Sequence, residues 1–375
     1  MHIGILTSGG PAPGFNGVIE SVVKSAHRRG WNVTAIPNGY SKLIAGDTGA
    51  CYPLTPALVA GQETRGGSMI GTNRANPRKS QDAMDAVVQS VDALGLDALV
   101  TIGGDDTATA AMSVGEALQA AGKPFRVAHV PKTIDNDLPL PGEAPTFGFE
   151  TAKHVGAELC RNLRVDAITT GRWYIATAMG RSAGHLALGI ATASGADLCI
   201  IREEFGEETI SIAALAALVE DAINIRAADG VNGGLVVLGE GLLERLDPTE
   251  LATIADLELD EHGNPRMSEV DLGKAVADAV KARGGDTAFV TKLIGYELRC
   301  ADPIGFDVQY TRALGHAAVS FLADGEGDGL ICLRENQPVI LRFEDLRDDN
   351  DRVPVRRVDL SGANWQSSLA LQARK

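Results

Sequence analysis

Ala98-Leu99-Val100-Thr101-Ile102-Gly103-Gly104-Asp105-Asp106-Thr107 is the stretch that decides the fold. Its first five residues are apolar or β-branched, which predicts a strand buried on both faces. Two glycines end the strand, and the alanine-rich run 108–121 that follows predicts a helix. A strand that feeds a helix across a glycine turn is the building unit of a parallel sheet. The same unit recurs outward in both directions. Strands are predicted at 3–7, 33–37, 98–102, 126–130, 173–178, 197–201, 235–238, 288–294 and 329–333. Helices are predicted at 17–27, 108–121, 151–163, 212–225 and 270–280. The fold class is therefore α/β with mainly parallel sheets and helices on both faces. The stretch 139–145, rich in proline, predicts a linker between two lobes, and the polar run 347–352 an exposed loop.

The chain has 375 residues, enough for two lobes of ordinary domain size. Its 45% hydrophobic and 22% charged content is that of a globular protein and excludes a disordered one. Net charge is −15, from 34 basic and 49 acidic residues, which argues against nucleic acid and anionic membranes as partners. It leaves open a small anionic substrate held by a few local cations. The five cysteines, Cys51, Cys160, Cys199, Cys300 and Cys332, form no C-x-x-C pair. That pattern predicts reduced thiols in the cytoplasm, with neither a disulfide framework nor a zinc site. No apolar run is long enough to span a bilayer, and the start of the chain carries no secretion signal.

In a parallel sheet, ligands bind beyond the carboxyl ends of the strands. The loops at those ends carry the chemistry. The first is Ser8-Gly9-Gly10-Pro11-Ala12-Pro13-Gly14-Phe15-Asn16. Pro11 breaks the dinucleotide pattern, and Phe15-Asn16 replaces the Lys-Ser/Thr of a P-loop. It reads equally as a phosphate cradle or as a tight turn without a ligand. The second loop sets Asp105 and Asp106 in tandem. A carboxylate there suits magnesium, although Asp106 would also serve as the cap of the next helix. The third, Pro131-Lys132-Thr133-Ile134-Asp135-Asn136-Asp137, combines a cation with two carboxylates. One carboxylate can take a proton while the other helps to hold a metal, and Lys132 stands ready for a transferring phosphoryl group. An Asx-rich turn with no catalytic role is the competing account. Further loops are Met179-Gly180-Arg181-Ser182-Ala183-Gly184 and Gly239-Glu240-Gly241. Arg65, Arg74, Arg172, Arg181 and Arg299 lie in or beside such turns, placed to anchor phosphate or to sit in solvent. From the residues alone, the chemistry is metal-assisted phosphoryl transfer or hydrolysis of a phosphorylated small molecule.

These loops, in this order, resemble the phosphofructokinase family over residues 3–317. The combination of Thr133–Asp137, Met179-Gly180-Arg181 and Gly103-Gly104-Asp105 is what carries the resemblance. It implies two similar Rossmann-like lobes with the active site in the cleft between them. Residues 1–148 and about 300–352 would form the phosphoryl-donor lobe, and about 149–299 with 353–375 the sugar-phosphate lobe. It implies that Asp135 deprotonates the 1-hydroxyl of fructose 6-phosphate, and that Asp105 and Asp137 hold Mg2+. Gly9, Gly10, Arg74, Gly104, Asp106 and Lys132 would meet the donor. Arg74 and Lys132 would act beside Asp135 in catalysis. Thr133, Met179, Gly180, Arg181 and Glu240 would bind the sugar, with Tyr296 and Arg299 on its 6-phosphate. Arg172 matches a position that reaches a neighbouring subunit's site, so a homodimer or homotetramer with shared active sites is implied. ATP-using members carry glycine where this chain has Asp106, and Lys132 also matches the pyrophosphate users. The resemblance therefore points to pyrophosphate. An ATP-dependent kinase and a non-catalytic phosphosugar-binding subunit are the alternatives. Pro11, Val290 and Cys300–Pro303 depart from the pattern of the ATP enzymes.

Overall fold

A computed structural model describes residues 1–254, 270–325, 327–346 and 353–374. The chain folds into two units. The first comprises Met1–Ile134, Leu138–Ala152 and Arg299–Val355, and the second Asp135–Asp137, Lys153–Leu298 and Arg356–Lys375. The predicted loop at 347–352 lies outside the described residues.

The first unit is built on seven strands: β1 (His2–Thr7), β2 (Asn32–Ala35), β3 (Tyr52–Leu54), β4 (Ala98–Gly103), β5 (Arg126–Pro131) and, late in the chain, two more. The second unit has β6 (Trp173–Ala178), β7 (Leu198–Ile200), β8 (Gly234–Gly239) and β9 (Phe289–Ile294). The chain then returns to the first sheet with β10 (Gly329–Arg334) and β11 (Gln337–Arg342). The first sheet has the order β11-β10-β5-β4-β1-β2-β3 and the second β7-β8-β6-β9. All pairings are parallel except β2 with β3 and β10 with β11. The sequence expectation of mainly parallel α/β sheets holds, although the two sheets differ in size.

Alternation along β4 shows why its sequence is almost wholly apolar. Ala98, Val100 and Ile102 enter one core, with Val18, Ile19 and Val22 of the helix Phe15–Arg28 and Leu314 and Ala318 of Gly305–Asp324. Leu99 enters the opposite core, with Val87 and Val91 of Gln81–Ala93 and Ala111 and Met112 of Asp105–Ala120. Both faces are covered, and the one polar side chain on the strand, Thr101, is buried with a hydrogen bond to His129 of β5. In the second unit Trp173, Ile175, Val236 and Leu238 pack on the helices Ile212–Ala228 and Leu272–Ala282.

Three expectations need correction. Residues 139–145 are not a linker: Leu138, Leu140 and Ala144 are buried in the core of the first unit, which makes this segment part of that unit. Asp106 is not a helix cap, because Gly104 occupies that position and Asp105 and Asp106 form the first turn. The helix predicted at 151–163 runs from Phe149 to Thr170. The antiparallel strand β11 had no sequence signal. Its hairpin turns through Glu335 and Asn336, both at positive φ (+50° and +63°), without the glycine that marks such turns.

Asp307 fixes the entry to the long helix at Phe149. It is fully buried and accepts from the Gly148 N–H, the Thr151 N–H and the Thr151 hydroxyl, at 2.8, 2.8 and 2.5 Å. Burial pushes its carboxyl above the usual range, while these donors pull it back. Asp307→Ala strands those donors in a dry site, so stability should fall by on the order of 3 kcal/mol. Urea unfolding of the variant beside the wild type measures this, and an unchanged midpoint contradicts the role.

Candidate active site

In the first unit the loops after β1, β4 and β5 meet at the carboxyl edge of the sheet. The Ser8 N–H donates to the Ile102 carbonyl at 2.9 Å, and the Lys132 N–H to Gly103 at 2.7 Å. The first loop turns at Gly9 and Gly14, with φ of +84° and +108°, a region closed to most side chains. The segment carrying Arg74 is pinned against it. Asn73's carbonyl accepts from the Gly9 N–H and the Ser8 hydroxyl, and the Thr72 hydroxyl donates to Gly9. Lys132 is 6% exposed; its ammonium donates to the Gly10 carbonyl at 2.7 Å and stands 5.6 Å over the Phe15 ring. A Cβ on Gly10 would lie 3.6 Å from the Arg299 guanidinium carbon, so that side chain also reaches the first loop. His129, inside β5, shares a 2.8 Å hydrogen bond with Thr101. Burial holds His129 neutral, pushing its pKa down to about 3, and the Lys132 charge adds to the effect.

Asp105 and Asp106 are exposed at the start of their helix, where the helix dipole favours carboxylates. An exposed carboxylate such as Asp105 is chemically suited to a divalent cation such as magnesium. That ion takes one or two carboxylates and completes its shell with water and phosphate oxygens. It needs no larger cluster, and no group of three or more His, Cys, Asp or Glu is set to hold a metal among the described residues.

The turn after β5 belongs to the second unit at Asp135–Asp137. Asn136 is buried at φ +57°, a left-handed conformation that asparagine tolerates better than most residues. Asp135 and Asp137 flank it, each half-buried. Arg356 holds the turn. Its guanidinium donates to the Asn136 carbonyl at 3.0 and 3.2 Å and to Asn136 Oδ1 at 2.5 Å. Its own N–H donates to the Asp137 carbonyl at 2.7 Å.

The carboxyl ends of β6, β8 and β9 surround an open pocket of about 410 Å³ in the second unit. Thr177, Met179, Glu240, Ile294, Tyr296 and Glu297 are among its lining residues. Gly180, at φ +132°, donates its N–H to Glu240 Oε2 at 3.1 Å, and the Gly241 N–H returns to the Gly180 carbonyl at 3.1 Å. The Met179 side chain lies across Gly295, where any Cβ would collide with it. Arg181 pairs with Glu244 at 2.7 Å, and Tyr296 is 61% exposed.

The structure thus gathers Gly9, Gly10, Gly104, Asp105, Lys132 and Arg299 at one end of the first sheet. Met179, Gly180, Glu240 and Tyr296 gather at one end of the second. Arg172 is not brought to this pocket. It precedes Trp173 at the other end of β6, roughly 20 Å away along six strand residues. Sequence reasoning missed Arg356, which lies beyond the region of family resemblance and in no motif.

The phosphofructokinase family model matches residues 2–322. A pyrophosphate–fructose 6-phosphate 1-phosphotransferase from Thermotoga maritima is 43% identical, over 97% of this chain and 88% of the relative. A protein of the same name from Naegleria fowleri is 42% identical, over 97% and 86%. The solved pyrophosphate-dependent phosphofructokinase of Nitrosospira multiformis superposes with a TM-score of 0.74 at 18% identity, covering 100% of this chain and 92% of that one. With its carboxyl-edge loops in these positions and its family model matched over most of its length, the chain belongs to the phosphofructokinase family.

Proposed function

We propose that this chain transfers a phosphoryl group reversibly from pyrophosphate to the 1-hydroxyl of fructose 6-phosphate, giving fructose 1,6-bisphosphate and phosphate. The observation that carries the donor choice is Asp106, exposed in the first turn of the helix after β4. By the family resemblance, ATP-using members carry glycine at this position, and a carboxylate there adds charge that repels a longer polyanion. The names of the relatives at 42–43% identity support the same donor.

Asp135 takes the proton of the 1-hydroxyl as that oxygen bonds to the terminal phosphorus of pyrophosphate. The bond from that phosphorus to the bridging oxygen breaks, and phosphate leaves. Lys132 offsets charge on the donor, where no adenosine helps to hold the leaving group. Its carbonyl partner and aromatic neighbour fix the ammonium before the donor arrives. Arg74, with Gly9, Gly10 and Gly104, belongs to the donor side. Thr133, Met179, Gly180, Arg181 and Glu240 are assigned to the sugar, and Tyr296 and Arg299 to its 6-phosphate, although the Arg299 guanidinium lies beside Gly10 in the first unit. Asp105 and Asp137 are the carboxylates assigned to magnesium, which supplies charge neutralisation on the phosphate oxygens when bound. We place the reaction in the cytoplasm, where Cys51, Cys160, Cys199, Cys300 and Cys332 stay reduced. No helix among the described residues is long and apolar enough to cross a membrane.

The reading includes a homodimer or homotetramer. Arg172, remote from the pocket of its own chain, then serves the 6-phosphate of a neighbouring copy. A distant phosphate anchor contributes mostly uniform binding, so Arg172→Ala should raise KM for fructose 6-phosphate more than it lowers kcat. An unchanged KM in steady-state assays removes Arg172 from the site. Asp135→Asn keeps the shape of the side chain and loses the base. Its kcat should drop by roughly a hundredfold to ten-thousandfold while sugar-phosphate binding persists. Retention of more than half of the activity by the purified variant contradicts the assignment.

A further inference from the structure

Within the second unit, the segment Arg356–Val358 touches two pieces of the site. At one end Arg356 makes the four hydrogen bonds to Asn136 and Asp137 described above. At the other, the Val358 N–H donates to Glu203 Oε1 at 3.1 Å, and the same oxygen accepts from the Gly184 N–H at 2.9 Å. Gly184 ends the loop that carries Met179, Gly180 and Arg181. A Cβ there would lie 2.8 Å from Glu203 Oε2, so the loop approaches Glu203 as closely as a backbone can.

We infer that Arg356 is a positioning residue for the base, and that Arg356–Val358 is a strap that fixes the Asp135–Asp137 turn relative to the loop ending at Gly184. The inference rests on the reading that Asp135 is the base. The turn needs such a device. Asn136 holds an uncommon backbone conformation, and no helix or strand hydrogen bonds run through Asp135–Asp137. One planar guanidinium binds the Asn136 carbonyl and amide oxygen together, which orients the peptide between Asn136 and Asp137. The Arg356 N–H orients the next peptide. These two peptides flank Asp137, and the hold on Asn136, the neighbour of Asp135, constrains the backbone from which the Asp135 side chain departs. Arg356 also faces His185, which burial keeps neutral, with its pKa lowered to about 4 and the Arg356 charge contributing. A neutral ring does not repel the guanidinium. The described side-chain hydrogen bonds of Arg356 go to the Asn136–Asp137 turn, and its effect on the base is assigned to that turn.

Steady-state kinetics on Arg356→Ala and Arg356→Lys, with melting temperatures, test this. A misplaced base loses rate and not ground-state affinity. Arg356→Ala should lose about a hundredfold in kcat, with KM for fructose 6-phosphate changed by less than about threefold. Arg356→Lys restores one donor without the fork and should fall between the alanine variant and the wild type. Millimolar guanidinium should recover part of the alanine variant's rate. If the alanine variant does not fold, the lysine variant decides on the same readouts. A kcat within about threefold of wild type in a folded variant overturns the inference. So does a loss of rate matched by an equal loss of folded protein that guanidinium does not reverse. Asp135→Asn, assayed in parallel, keeps the two ideas apart. An active Asp135→Asn discards the base reading on its own, whatever Arg356 does.

Discussion

A buried ammonium has to be compensated, and the first unit is arranged around that requirement. Lys132 leaves β5 into a site where it is almost wholly covered, and the Gly10 carbonyl and the Phe15 ring meet its charge. Both partners belong to the loop after β1. That loop can offer a carbonyl at Gly10 only because Gly9 and Gly14 turn the chain through positive φ on either side of it. Phe15 is held in turn by the Phe147 ring, 6.0 Å away edge to face, and Phe147 bridges back to Lys132. Asp307 secures the next residue, Gly148. One cation thus ties together three strand ends, an aromatic pair and the start of the long helix. An ammonium fixed in this way needs no reorganisation to meet an anion brought beside it.

The second unit solves a different problem. Its pocket lies on the carboxyl edge of a four-stranded parallel sheet, with Gly180 and Gly241 exchanging backbone contacts around Glu240. The turn that carries Asp135 and Asp137 is not part of that sheet. It is held by a segment more than 200 residues later in the chain, through Arg356. The Asp135–Asp137 turn therefore depends on a late element, whereas the loops after β1 and β4 are tied to residues in the first third of the chain and to Lys132.

That difference explains what was legible in the sequence. The parallel strands were visible because both of their faces are buried, so that β1, β4, β6 and β8 read as mostly apolar or β-branched runs with glycine at or just beyond their ends, and β5 as a similar run ended by Pro131-Lys132. The loops at their ends were visible because close backbone approach and positive φ demand glycine there. The edge hairpin at β11 escaped notice. Glu335 and Asn336 adopt the turn without glycine, and Gln337-Pro338 opens the strand with residues of poor β propensity. The segment 139–145 looked like a linker because its prolines are local features, whereas the burial of Leu140 and Ala144 is a tertiary one. Arg356 was invisible for the same reason. An arginine in the run Val353-Pro354-Val355-Arg356-Arg357-Val358 has no local signature, and its role exists only through a contact across the sequence.

The central claim is that a phosphofructokinase scaffold with a carboxylate at position 106 uses pyrophosphate. The most direct measurement compares initial rates of fructose 1,6-bisphosphate formation by the wild-type protein with pyrophosphate and with ATP, each with magnesium. The account predicts rapid turnover with pyrophosphate, reversal when phosphate and fructose 1,6-bisphosphate are supplied, and little or no rate with ATP. Robust ATP-dependent turnover with no pyrophosphate activity would contradict it.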